Sequence, residues 1–325
     1  MNKMILEDQA AYSGGSFNHR EDKKHGFFGC NSEYATLRKV VLGLPTEEDI
    51  EIANECPEGF QLLGQVNYLD IREELDRYTY LLNDLGVSVV WASYDSPLKS
   101  LPNFIFTRDL FAMSEQGPII GRPATLIRAE EEFHLASFLA LQGIPIWRWI
   151  TKGIFEGSDF LWATPNIRLV GTGCRTSLEE YHSITTSEQS IFSVKMNPKG
   201  NQHLLGALNI IDKDLACIRP NKFYPEVLSD LRSFLELHGY KFIEFEENEE
   251  IRYKQAMNLA VIAPKVVVMP DDCPETRKTL ERNGVEVYIT DIQTIRMMAG
   301  GLACLTGPLQ RDVIMPNGSS YHIKY

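Results

Sequence analysis

"YPEVLSDLRSFLELHGYKFIEF", residues 224–245, decides how the rest of the chain is read. Val227, Leu228, Leu231, Phe234 and Leu235 recur at the spacing of a helix with one apolar face. Gly239 follows where a helix C-terminus favours a left-handed residue. "YKFIEF" then reads as a strand. The same signal occurs in "REELDRYTYLLNDLG" before "VSVVWA", "RAEEEFHLASFLALQG" before "IPIWRW", and "CPETRKTLERNG" before "VEVYIT". Apolar strand candidates, "LRKVVLG", "GPIIG", "IRLVG" and "KVVVM", precede the helices.

Gly86, Gly143, Gly239 and Gly284 lie 57, 96 and 45 residues apart. The long interval holds one more unit, with "SLEEYHSITTSEQ" as a poorer helix and "SIFSVKM" as its strand. The pattern is α/β. Five repeated units and an ordinary doubly wound sheet both accommodate it. Residues 1–25 are polar and aperiodic and read as an N-terminal arm, with one catalytic domain over 26–325.

Composition narrows the function. Hydrophobic residues make up 44% and charged residues 23%, enough for a real core. Lys and Arg number 32 against 44 Asp and Glu, a formal net charge of -12. Nucleic-acid binding needs clustered basic residues, so that class is disfavoured, whereas small cationic substrates are favoured. No stretch has the length of a membrane span. The opening residues lack a signal-peptide run, and the six cysteines form no C-x-x-C pair. The expectation is a cytoplasmic protein with free thiols, no metal and no cofactor. Oligomeric state is open, and a homo-oligomer is compatible with the sequence.

The chemistry sits in the loops that follow the strands. "PNFIFTRD" ends at Asp109, "FEGSD" holds Glu156 and Asp159, "NQHLLG" holds His203, and "MMAGGLACLTGPLQRD" holds Cys304. Four units therefore deliver two sets of acids, an imidazole and a thiol from corresponding places. Two carboxylates suit a planar guanidinium through paired, charge-assisted hydrogen bonds. A delocalised guanidinium carbon needs a strong nucleophile held close, which a thiolate supplies. The imidazole can protonate a leaving amine and later accept a proton from water. Each residue also has a plainer reading. Cys304 could be inert core, His203 a satisfied buried histidine, Asp109 half of a structural ion pair, Glu156 to Asp159 a turn, and Arg175 a surface arginine. Their shared placement is what argues for a site.

These motifs, in this order, resemble the guanidino-group-modifying superfamily of arginine deiminases, dimethylarginine dimethylaminohydrolases, agmatine deiminases and amidinotransferases. The resemblance runs from "NSEYATLRKVVLG" to "GGLACLTGPLQRD" and is closest to bacterial dimethylarginine-dimethylaminohydrolase-like proteins. It implies a five-bladed α/β propeller of ββαβ modules with pseudo-five-fold symmetry. It further implies Cys304 as nucleophile, His203 as catalytic histidine, and Asp109 and Glu156 as carboxylates for the guanidinium. Phe106 would wall the pocket, and Asn103 and Arg175 would meet a substrate carboxylate. Asp159 would contact substrate or support the histidine loop. Ser158 stands where the family has a second glycine, Leu205 where arginine deiminases have an aspartate, and Ala299 where they have an arginine. Ala303 replaces the frequent His or Thr before the cysteine. The implied activity is hydrolysis of a guanidino or amidino compound through a covalent thiouronium intermediate. Amidino transfer to an amine is the alternative, and a binding protein without catalysis a third reading.

Overall fold

A computed structural model of the chain describes residues 28–94, 99–177, 179, 184–186, 189–198, 202–315 and 318–321. The expected arm at 1–25 lies outside the described residues, as does most of the poorer helix expected near residue 180.

Fifteen strands form five three-stranded sheets. One blade joins β1 (Leu37–Gly43) and β2 (Ser88–Ala92) with a strand from the far end of the chain, described below. The next joins β3 (Phe111–Ser114), β4 (Gly117–Ile120) and β5 (Arg148–Trp149). The third joins β6 (Phe160–Thr164), β7 (Ile167–Thr172) and β8 (Ser190–Lys195). The fourth joins β9 (Leu208–Asp212), β10 (Leu215–Ile218) and β11 (Lys241–Glu244), and the fifth β12 (Ala260–Ala263), β13 (Val266–Pro270) and β14 (Glu286–Thr290). The far-end strand that completes the first blade is β15 (Gly307–Arg311). In every blade the first strand is antiparallel to the second and the third is parallel to it.

A parallel pair needs a crossover, and helices supply it. α1 (Glu47–Glu55) and α2 (Tyr68–Asp84) link β1 to β2. α3 (Thr107–Leu110) leads into β3, and α4 (Glu131–Leu141) links β4 to β5. α5 (Pro225–Leu237) links β10 to β11, α6 (Glu249–Tyr253) precedes β12, and α7 (Pro274–Arg282) links β13 to β14. α8 (Gln293–Met297) and α9 (Leu302–Leu305) precede β15. Asn67 caps α2 by accepting from the amides of Leu69 and Asp70. Pro225 and Pro274 begin α5 and α7, where no intrahelical amide bond is lost.

First strands face one another around a common axis, β15 meeting β3, β6 meeting β9 and β9 meeting β12, while β12 also meets β1, the central strand of the first blade. The chain is thus a five-bladed α/β propeller. Its apolar core lies between the sheets and the outer helices. Leu75, Tyr78 and Leu82 of α2 pack with Leu37, Val40 and Val268, and Leu231 and Leu235 of α5 pack with Leu208, Ala216 and Tyr240. The ring is closed without a covalent link. β15 lies antiparallel on β1, pairing Val41 with Gly307 and Leu37 with Arg311. Beside the seam, Arg38 grips Asp312 through two parallel bonds of 2.8 and 2.7 Å.

The helix-terminal glycines behave as their sequence context predicts, with φ of 79° at Gly86, 75° at Gly143, 85° at Gly239 and 76° at Gly284. The strand expected over "IPIWRW" is shorter, confined to Arg148–Trp149. A different role belongs to the glycines that end "LRKVVLG", "GPIIG" and "IRLVG". A Cβ on Gly43 would lie 2.1 Å from the carbonyl oxygen of Phe104, on Gly121 2.7 Å from that of Phe155, and on Gly171 2.8 Å from the Leu204 side chain. In each case the loop entering the next blade lies directly across the central strand of the blade before it.

No heavy atom lies within 4 Å of a Cβ built on Gly239. Gly239→Ala therefore isolates backbone strain from steric clash. It is expected to lower unfolding free energy by about 1–2 kcal/mol, the cost of a left-handed L-residue. An unchanged urea midpoint would contradict this.

Candidate active site

Five corresponding loops, each joining the last strand of one blade to the first strand of the next, reach the same end of the axis. The loop from β2 to β3 carries Asn103, Phe106 and Asp109. The loop from β5 to β6 carries Glu156 and a tight turn over Gly157–Asp159. The loop from β8 to β9 carries His203, and that from β14 to β15 carries Cys304 on α9. The remaining loop, from β11 to β12, delivers Asn258.

Asn103, Phe106, Asp109, Arg175, His203 and Cys304 line one pocket. Glu156 and Asp159 do not line it; they are 0% and 1% exposed and stand behind its wall. Glu156 reaches the pocket through the histidine: its Oε2 is 2.5 Å from Nε2 of His203. Its Oε1 accepts from the Ala124 amide at 2.8 Å and faces Arg175 at 3.5 Å. Asp159 accepts from the amide of Leu204 at 2.8 Å, which fixes the turn after His203. Of the two roles open to Asp159, this arrangement shows the support of the histidine loop. Leu205 is buried in an apolar cluster with Leu204 and Ala303.

Sequence reasoning passed over Arg128. This buried guanidinium bonds Asp109 Oδ2 at 2.5 Å and gives two further bonds to Glu131, at 2.9 and 2.8 Å. The hydroxyl of Ser158 donates to the other Asp109 oxygen at 2.5 Å. The serine that departs from the resembled motif therefore holds the key carboxylate.

Asn258 was also missed. Its Oδ1 accepts from the Cys304 amide at 3.1 Å, which turns Nδ2 toward Sγ at 3.0 Å. The two glycines before Cys304 are not a flexible approach. A Cβ on Gly300 would stand 2.2 Å from the Phe106 ring, and one on Gly301 2.7 Å from the Asn258 side chain. The segment is bare because it threads between a ring and an amide. Ala299 just before it holds a φ of 67°.

Burial first, and then the Asp109 charge, push the Cys304 thiol up to about 11, against the opposing Asn258 bond. Burial disfavours a charged His203, but Asp109, Glu156 and Asp159 outweigh it and push its pKa up to about 9. Burial likewise opposes ionised Glu156, but the His203 bond and charge hold its carboxyl below the usual range. At neutral pH the site is a thiol beside an imidazolium–carboxylate pair. Burial pushes both Asp159 and Glu131 up to about 7. Asp109, Glu156 and His203 could each offer a metal ion one atom, all within 4.8 Å of one another. An ion would have to replace the His203–Glu156 bond.

The chain is similar to known proteins in sequence and in fold. The arginine deiminase family model matches residues 88–221. A Bacillus subtilis (strain 168) protein, the uncharacterized YkgA, is 27% identical over 87% of this chain and 95% of its own length. A dimethylarginine dimethylaminohydrolase from Pseudomonas aeruginosa, complexed with citrulline, superposes with a TM-score of 0.64 at 19% identity, over 84% of this chain and 100% of that one. An amidinotransferase from Microseira wollei does so with a TM-score of 0.65 at 14% identity, over 87% and 97%. These solved structures share the fold of this chain, and the match to the arginine deiminase family model runs from β2 to the turn after β10.

Two substitutions should move the thiol in opposite directions. Asp109→Asn removes a nearby negative charge, so iodoacetamide should alkylate Cys304 faster at fixed pH. Asn258→Asp keeps the acceptor for the Cys304 amide but sets a charge against sulfur, so alkylation should slow by roughly tenfold per unit of pKa. Equal rates in both variants would contradict the arrangement. His203 gives a separate signature. Its pKa rises from 6.5 to about 9 on folding, so its stabilisation is whole below 6.5 and is lost as pH climbs through 9. The imidazole resonance of His203 should titrate near the upper value, and in Glu156→Gln at a lower one.

Proposed function

We propose that the chain is a cysteine-dependent hydrolase of a guanidino or amidino compound, arginine-like or a substituted arginine. The observation that carries this reading is that thiol, imidazole and Asp109 line a single pocket. The matched family, and relatives that act on arginine derivatives, support the substrate class. Asp109 orients the cation, while Glu156 acts on it through His203. Arg175 and Asn103 meet the far end of the substrate, and Phe106 packs along its stem.

In the free enzyme sulfur is held as thiol by burial and by Asp109. A bound guanidinium offsets that field, so the proton leaves to solvent and thiolate forms against the central carbon. The C–S bond forms, the C–N bond to the leaving nitrogen breaks, and His203, already protonated, gives its proton to the departing ammonia or amine. A thiouronium remains on Cys304. Water, losing a proton to His203, adds to the same carbon and expels the thiolate, and a ureido product is released. Leu205 supplies no second carboxylate for the cation, which favours a substituted guanidine over arginine itself.

Turnover of arginine and of N-methylated arginines should be assayed without any added amine, with mass spectrometry of the quenched enzyme. The expected result is a ureido product and a transient adduct on Cys304. Cys304→Ser should lose turnover by several orders of magnitude yet still bind the cation. Product formation that requires added glycine or lysine would instead make the chain an amidinotransferase. Full activity in Cys304→Ser would remove the covalent route altogether.

A further inference from the structure

A second internal cavity shares no lining residue with the pocket just described. Cys30, Glu33, Arg108, Arg311 and the rings of Phe160 and Trp162 enclose it, and it has room for about one water-sized guest. Its walls are charged. Arg108 is 6% exposed and Arg311 5%. Glu33 is the one carboxyl among the described lining residues.

The polar bonding here is incomplete. Arg108 spends Nη2 on both Glu33 oxygens, at 3.2 and 3.1 Å, and on the Phe160 carbonyl oxygen at 3.2 Å, and its buried Nε has no hydrogen-bond partner among the described residues. Arg311 gives one bond each from its terminal nitrogens to the carbonyl oxygens of Ala35 and Val261, at 2.7 and 2.9 Å. Among the described residues no carboxylate forms an ion pair with it. Cys30 adds no charge, because burial pushes its thiol up to about 12. Two buried cations therefore share one carboxyl across the cavity. An uncompensated charge in a protein interior is strongly destabilising, and a neutral water satisfies an N–H without balancing the charge.

We infer that the cavity between Arg108 and Arg311 binds a small inorganic monoanion of halide size. The anion accepts from the free Nε of Arg108 and from N–H groups that Arg311 does not spend on carbonyls. It balances the buried guanidinium pair and meets the Asp109 loop through Arg108 alone.

The test uses the full chain and halide salts. Replacing gluconate by chloride or bromide at matched ionic strength should raise Tm in a saturable way. Bromide-soaked crystals should show an anomalous peak between Arg108 and Arg311. Glu33→Gln removes the competing carboxyl and should tighten the half-saturating bromide concentration several-fold, whereas Arg311→Met should abolish the saturable response. Should the Arg311 variant not fold, the bromide map of the unaltered chain decides. A Tm indifferent to the halide, or a cavity holding water or a side chain instead of bromide, overturns the inference.

Discussion

The antiparallel join of β1 to β15 is the contact on which the rest depends. It turns a row of four complete blades, the β1–β2 pair and an unpaired β15 into a ring. Cys304 lies three residues before β15, so the thiol reaches the axis through this seam. Asp109 and His203 enter from other blades, and each loop is seated on the blade before it. Gly43, Gly121 and Gly171 make that seating possible because any side chain there would occupy the space of the incoming loop. The site is therefore a property of the closed ring and of no single blade.

Electrostatics then fixes the resting state of that site. Asp109, Glu156 and Asp159 keep His203 protonated, and burial together with the Asp109 charge keeps sulfur protonated too. Arg128 is balanced by Glu131, so Asp109 keeps its influence over the pocket despite a direct bond to a guanidinium. Under the proposed mechanism the same groups that suppress the thiolate in the empty pocket attract the cation whose arrival releases it, and solvent-derived oxidants meet a thiol with little nucleophilic character.

Much of this was legible in the residues. Helices ending at glycine, and apolar runs such as "KVVVM", located the second and third strands of the blades. The first strands, "FAMS", "FLWAT", "LNIID" and "AVIA", escaped because they are short and run on from the site loops with little turn chemistry between. Acid, imidazole and thiol were visible because their residue types advertise reactivity. Asn258 does not titrate, yet it occupies the loop position corresponding to Asp109 and Cys304 in the one inter-blade connection left unread after "YKFIEF". Arg128 sits in the charged start of "RAEEEF", where solvated residues are the usual occupants, and its burial follows from Asp109 and Glu131 meeting it from separate segments. The bare approach to Cys304 was visible as glycine, but its cause, contact with Phe106 and Asn258, needed coordinates.

The strands that seal the ring are the first and the last of its fifteen, separated by most of the chain. Pairing at such separation carries a large loop-closure cost and forms late relative to local hairpins. During synthesis the four inner blades can pack as they emerge, while β1 waits for its partner. Cys304, three residues before β15, consequently takes its place after the loops that carry Asp109, Glu156 and His203.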